Sequence, residues 1–155
     1  LLVDTYLRQN QMEEASDVLQ RLANIYAETG SADDAFMSFR RAADLTPDNM
    51  DLLREVVSFC WQIGRAREAT EYQQTIARHY FETHQVKESV AALQQLIAID
   101  RSNFDAYDML GQTYQAVGEY EQASRVYKNL AKAHPGDTTA KERLAELQEL
   151  RAHMA

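Results

Sequence analysis

The sequence predicts an all-α protein built as a helical repeat of about nine antiparallel helices, and three observations carry that expectation. Helix breakers are scarce: 155 residues include five Gly and two Pro, and between them Ala, Leu, Gln, Glu and Arg dominate, all good helix formers. Apolar residues recur at the three-to-four spacing that lines one helix face. Finally, the chain repeats itself. Shifted by 54 positions, residues 1–49 lie over 55–103 and pair Glu14 with Glu68, Ala15 with Ala69, Gln20 with Gln74, Ala23 with Ala77, Tyr26 with Tyr80, Glu28 with Glu82, Thr29 with Thr83 and Asn49 with Asn103. A periodicity of this kind marks stacked units, none of which buries its apolar face alone.

Taken in order, the pattern predicts helices over roughly 1–9, 13–29, 32–45, 50–63, 66–83, 86–99, 104–117, 120–133 and 138–152. Leu19, Leu22, Ala23 and Tyr26 form the apolar stripe of the second helix, which Gly30 breaks. Ala35, Phe39 and Ala42 form the next stripe, and Pro47 stops it. Tyr107, Leu110, Gly111 and Tyr114 repeat the first plan; Gly118, then Ala123, Tyr127 and Leu130, repeat the second and end at Pro135-Gly136. The last stretch carries a narrow stripe of Ala140, Leu144 and Leu147, with charged residues outside it and Thr139 and Glu142 spaced as a capping box. A polar outer face suits the end of an array.

These two plans, over 16–49 and 104–137, resemble the tetratricopeptide repeat, a 34-residue helix-turn-helix. Weaker copies start at Met50 and Thr70; the first has Gln73 where an aromatic belongs, and the second has His84 at the turn and Arg101 in place of the proline. Starts at 16, 50, 70 and 104 step by 34, 20 and 34, so the expected unit is a 54-residue variant of three helices with a long shared middle helix. The resemblance implies a right-handed α-solenoid over a single domain, 1–155, with 138–152 as its capping helix. The opening LLVDTYLRQN reads like the inside of a helix, so the expectation is a fragment of a longer chain.

Function classes narrow by composition. Net charge is −8, and residues 1–49 carry 4 basic against 9 acidic side chains, 50–103 carry 6 against 7, and 104–155 carry 6 against 8. Without a basic run, phosphate neutralisation has no footprint, and no nucleic-acid partner is expected. No apolar run reaches the ~20 residues that span a bilayer, so membrane insertion is not expected either. The lone Cys60 excludes an internal disulfide and fits a reducing, cytoplasmic setting. His79, Glu82 and His84 do not share one helix face as ligands must, and no metal or cofactor is expected. No nucleophile, phosphate-loop or zinc motif appears, so the expectation is a protein that is not an enzyme.

The resemblance implies a non-catalytic scaffold that holds a partner peptide or helix in a concave groove lined by the first helix of each pair. The groove candidates are Arg54, Ser58 and Trp61, then Gln74, Arg78 and Phe81, then Asp108, Gln112 and Gln115. Trp61 and Phe81 follow equivalent core positions, and aromatics beside Arg are the usual hot-spot chemistry; the alternative buries both rings in the core. Relatives that hold a partner's terminal carboxylate use a clamp of Lys and Asn. The matching positions here are Gln20, Asn24, Glu55, Glu71 and Thr75, of which only Asn24 fits, so no such clamp is expected. The competing function is a self-assembling subunit that stacks through its N-terminal edge, a possible homo-oligomer.

Overall fold

The computed structural model describes residues 2–155. Among them every regular element is an α-helix: α1 (Leu2–Arg8), α2 (Met12–Glu28), α3 (Ala32–Leu45), α4 (Met50–Gln62), α5 (Ala66–Glu82), α6 (Val86–Ile99), α7 (Phe104–Ala116), α8 (Tyr120–Ala133) and α9 (Thr139–Met154). Each bound lies within two residues of the expected one. Met12, Ala66 and Tyr120 open α2, α5 and α8 at intervals of 54, and α3 with α6 and α4 with α7 keep the same interval. α2 and α5 have 17 residues each, whereas α8 stops after 14, ahead of Pro135. α5 is one continuous helix through Thr70.

The turns explain the period. Gly30, Gly64 and Gly118 have φ of 82°, 76° and 80°, and Asn10 and His84 adopt the same left-handed conformation at 57° and 56°. Each closes its helix by the same pair of bonds. After α2, the Gly30 amide donates to Ala27 O at 3.2 Å and the Ser31 amide to Tyr26 O at 2.8 Å; after α5, the His84 amide donates to Phe81 O at 3.2 Å and the Gln85 amide to Tyr80 O at 3.0 Å. The geometry, a Schellman closure, needs a residue that tolerates positive φ, which glycine does freely and histidine only with strain. The alternate turns use a cap instead: the side chains of Asn49 and Asn103 accept from the amides of Leu52 and Ala106 at 3.1 and 3.0 Å.

The chain divides into two compact units, the first ending at Gln73 and the second spanning Gln74–Ala155. In the first, α2 buries Ala15, Ser16, Leu19 and Ala23, and α3 buries Ala35, Phe36, Phe39, Ala42 and Ala43. The many alanines let two helix axes approach closely, while Phe39 packs on Phe59 of α4 with ring centroids 5.2 Å apart. The Ser16 hydroxyl in this core is satisfied: its Oγ donates to Ala42 O at 3.0 Å.

In the second unit, Ala123, Tyr127, Leu130, Ala140 and Leu147 form a core with Tyr107, Tyr114 and Leu144 packed against it. Gly111 is required there by contact, since a Cβ would lie 2.3 Å from Cε1 of the fully buried Tyr127. The cap of α9 differs from expectation. Asp137, not Thr139, closes the helix start, its Oδ1 accepting from the Thr139 amide at 2.7 Å. The Pro135-Gly136 turn delivers that carboxylate, and hydrogen bonds from Thr139 hold its pKa below the usual range. Thr138, one residue earlier, is the hydroxyl that reaches Glu142, at 3.1 Å.

Candidate functional site

In the second unit a cavity of about 380 Å³ opens where α5 ends, α6 begins and α7 ends. Tyr80, Phe81 and His84 come from α5 and its turn, Val86 and Ser89 from α6, and Gln112, Thr113, Ala116 and Val117 from α7 and its end. The walls are largely apolar. Tyr80 is 7% exposed, and Phe81 is half-buried with its ring against the cavity. Two hydroxyls lie deep inside. Thr113 Oγ1 donates back to Met109 O at 2.8 Å, and Ser89 Oγ stands 3.4 Å from Thr113 Oγ1. At the mouth sit the exposed Ala116, His84 and Val117, the last 47% exposed.

The nine groove candidates distribute unevenly. Phe81 and Gln112, from different helices, share this cavity. Gln74 is half-buried and Arg78 exposed on α5, and Gln115 is half-buried on α7, but none of them lines it. Asp108 is already engaged: Arg143 of α9 donates from Nε to Oδ1 at 3.0 Å and from Nη2 to Oδ2 at 3.3 Å, and Gln112 Nε2 donates to Oδ2 at 2.8 Å. That pairing ties α9 to α7 and raises the Arg143 pKa. Arg54, Ser58 and Trp61 lie in the first unit along one exposed face of α4, where Trp61 is 43% exposed and Arg54 reaches Asp51 at 2.8 Å. Sequence reasoning missed Tyr80, His84, Val86, Ser89, Thr113, Ala116 and Val117 as wall residues. One signal for them was present: Thr113 stands where the repeat places Phe59.

Two stretches, residues 16–49 and 104–147, match the family described as the tetratricopeptide repeat, and together they span half of the chain. The chain belongs to the tetratricopeptide repeat superfamily. Among solved structures it is similar to the MamA protein, at 20% identity over 88% of this chain and 82% of that one with a TM-score of 0.50, a likeness of fold. Others are the first TPR of Spaghetti (RPAP3) bound to an HSP90 peptide, at 20% identity over 90% and 95% with a TM-score of 0.47, and YrrB, a TPR protein with an unusual peptide-binding site, at 12% identity over 97% and 84% with a TM-score of 0.49. No curated protein matches the chain.

At the clamp positions of this tetratricopeptide repeat protein, the first unit already holds a carboxylate of its own. Glu55 of α4 accepts from Gln20 Nε2 through Oε2 and from Asn24 Nδ2 through Oε1, the latter at 3.1 Å. Chemically reactive groups are muted. Cys60 is fully buried, and burial pushes its thiol up to about 11, so the thiolate is scarce at neutral pH. Among the described residues no three His, Cys, Asp or Glu side chains gather as a metal-holding group, and no helix is long and apolar enough to cross a membrane.

Proposed function

We propose that this tetratricopeptide repeat protein is a non-catalytic protein-interaction scaffold that binds a peptide or helix of a partner protein. The observation that carries this reading is the cavity of about 380 Å³ on which Phe81 and Gln112 converge from two helices. It has the composition of a recognition pocket, with apolar and aromatic walls and a few polar groups that orient what enters. Trp61, exposed on α4 beside Arg54 and Ser58, offers a second anchor of the hot-spot type. The solved structures of similar fold named above include proteins described as bound to a peptide or as having a peptide-binding site, which is consistent with this reading. The net charge of −8 favours a protein or peptide over a nucleic acid.

The test is selection from a random peptide library displayed on phage, against the full chain and against Trp61→Ala/Phe81→Ala. Enriched peptides should bind the wild type saturably and the variant at least about tenfold more weakly, with unchanged helicity. Absence of enriched peptides would overturn the scaffold reading, and equal binding to both proteins would overturn the assignment of the site to Trp61 and Phe81. A second reading, self-assembly, draws on α1. This helix buries no residue, and Leu2 is 53% exposed. A mass that rises with concentration and reverts in Leu2→Glu would move that reading ahead.

A further inference from the structure

The two copies of the 54-residue period differ most tellingly at one place. In the first unit that place holds Phe59, 9% exposed, whose ring meets Phe39 at 5.2 Å and an interplanar angle of 49°. The matching residues 54 positions on are Thr113 and Leu93. Leu93 stays fully buried, but Thr113 turns its hydroxyl back onto its own helix, 2.8 Å from Met109 O. Neither supplies a ring, and the cavity of about 380 Å³ opens beside Thr113. Nearby, Ala35 of the first copy becomes Ser89, which places a second hydroxyl on the cavity wall.

This rests on the scaffold reading and sharpens it. We infer that the cavity receives an aromatic side chain of the partner, which takes in the second unit the place that Phe59 fills in the first. Its volume lies at the small end of the roughly 300–1,000 Å³ range of ligand pockets, with room for one aromatic side chain and part of the backbone that carries it. Tyr80 and Phe81 stand on its wall, and an aromatic guest meets such rings in tilted or edge-to-face contacts that an aliphatic guest lacks, worth about 0.5–1.5 kcal/mol. The internal pair of Phe39 and Phe59 is tilted in this way. Gln112 and His84 at the border can hold the peptide backbone that carries the ring.

The experiment uses the full chain, isotopically labelled, with N-acetyl-phenylalaninamide and N-acetyl-leucinamide as probes followed by NMR. The phenylalanine amide should shift the Ser89, Thr113 and Ala116 resonances saturably, and the leucine amide should bind at least about twofold more weakly, the smallest factor that the ring contacts give. Two blocking variants should abolish the effect: Thr113→Phe, which supplies the ring internally, and Ala116→Phe, which closes the mouth from an exposed position and so leaves folding undisturbed. Equal binding of both amides overturns the inference, as do shifts that persist in Ala116→Phe or the absence of saturable shifts at the cavity. Selected peptides that bind without an aromatic residue and ignore Ala116→Phe sink this inference and leave the scaffold standing. A saturable ring amide together with an empty peptide selection sinks the scaffold and leaves the pocket.

Discussion

His84 sits at φ 56° where the first copy of the repeat has Gly30. A left-handed residue with a Cβ costs roughly 1–2 kcal/mol, while glycine adds about 0.5–1 kcal/mol of unfolded-state entropy. The balance favours glycine, so His84→Gly should raise stability by about 0.5–1 kcal/mol, read as a higher urea midpoint. Cys60 makes a prediction about pH. Its folded pKa of about 11 lies above the ordinary 9.0, and for an acid that loses its proton to become charged, this favours the folded state while the thiol stays neutral. The contribution is full below pH 9 and is lost as pH rises through about 11. Relative to Cys60→Ala, the wild type should therefore lose on the order of 2 kcal/mol across that window, and a constant difference between the two proteins would contradict it. Single residues were the least legible scale. The aromatic and alanine stripes named the core, yet Tyr26, Tyr107 and Tyr114 came out half-buried, because a phenol at a wedge keeps one end in water.

The helices themselves were legible because breakers and caps sit at fixed intervals. Gly30, Gly64 and Gly118 mark ends, and Asn49 and Asn103 mark starts, with little tertiary information needed. What joins one helix to the next was far less visible. The repeat register set Gln20, Asn24 and Glu55 along one groove, but not that the two amides converge on the one carboxylate across α2 and α4. The pair Arg143 and Asp108 is another such tie, 35 positions apart in the chain. Contacts of this sort depend on helix azimuth, which a one-residue change in a turn would alter. The first of them is testable by a double-mutant cycle. Asn24→Ala and Glu55→Ala should show a coupling of about 1 kcal/mol in urea unfolding, the scale of a hydrogen bond to a charged acceptor after partial exposure is allowed for. A coupling near zero would mean that solvent serves Glu55 equally well.

At the scale of the molecule, the interval of 54 was visible in eight identities and reappears in the starts of α2, α5 and α8. The groove candidates were placed by that same regularity, and three lie in the first unit and six in the second. The cavity sits where the copies diverge, at Thr113, and an alignment that rewards sameness passes over the position where one copy has lost a ring. The division at Gln73 has a practical side. The chain has one tryptophan and one cysteine, and Trp61 and Cys60 are neighbours on α4, both in the first unit. Intrinsic indole emission and thiol labelling therefore report on the same half of the protein. A tryptophan introduced at Tyr120 would place a second reporter in the half that holds the cavity, and curves from the two tryptophans would coincide if the halves unfold together and separate if they do not.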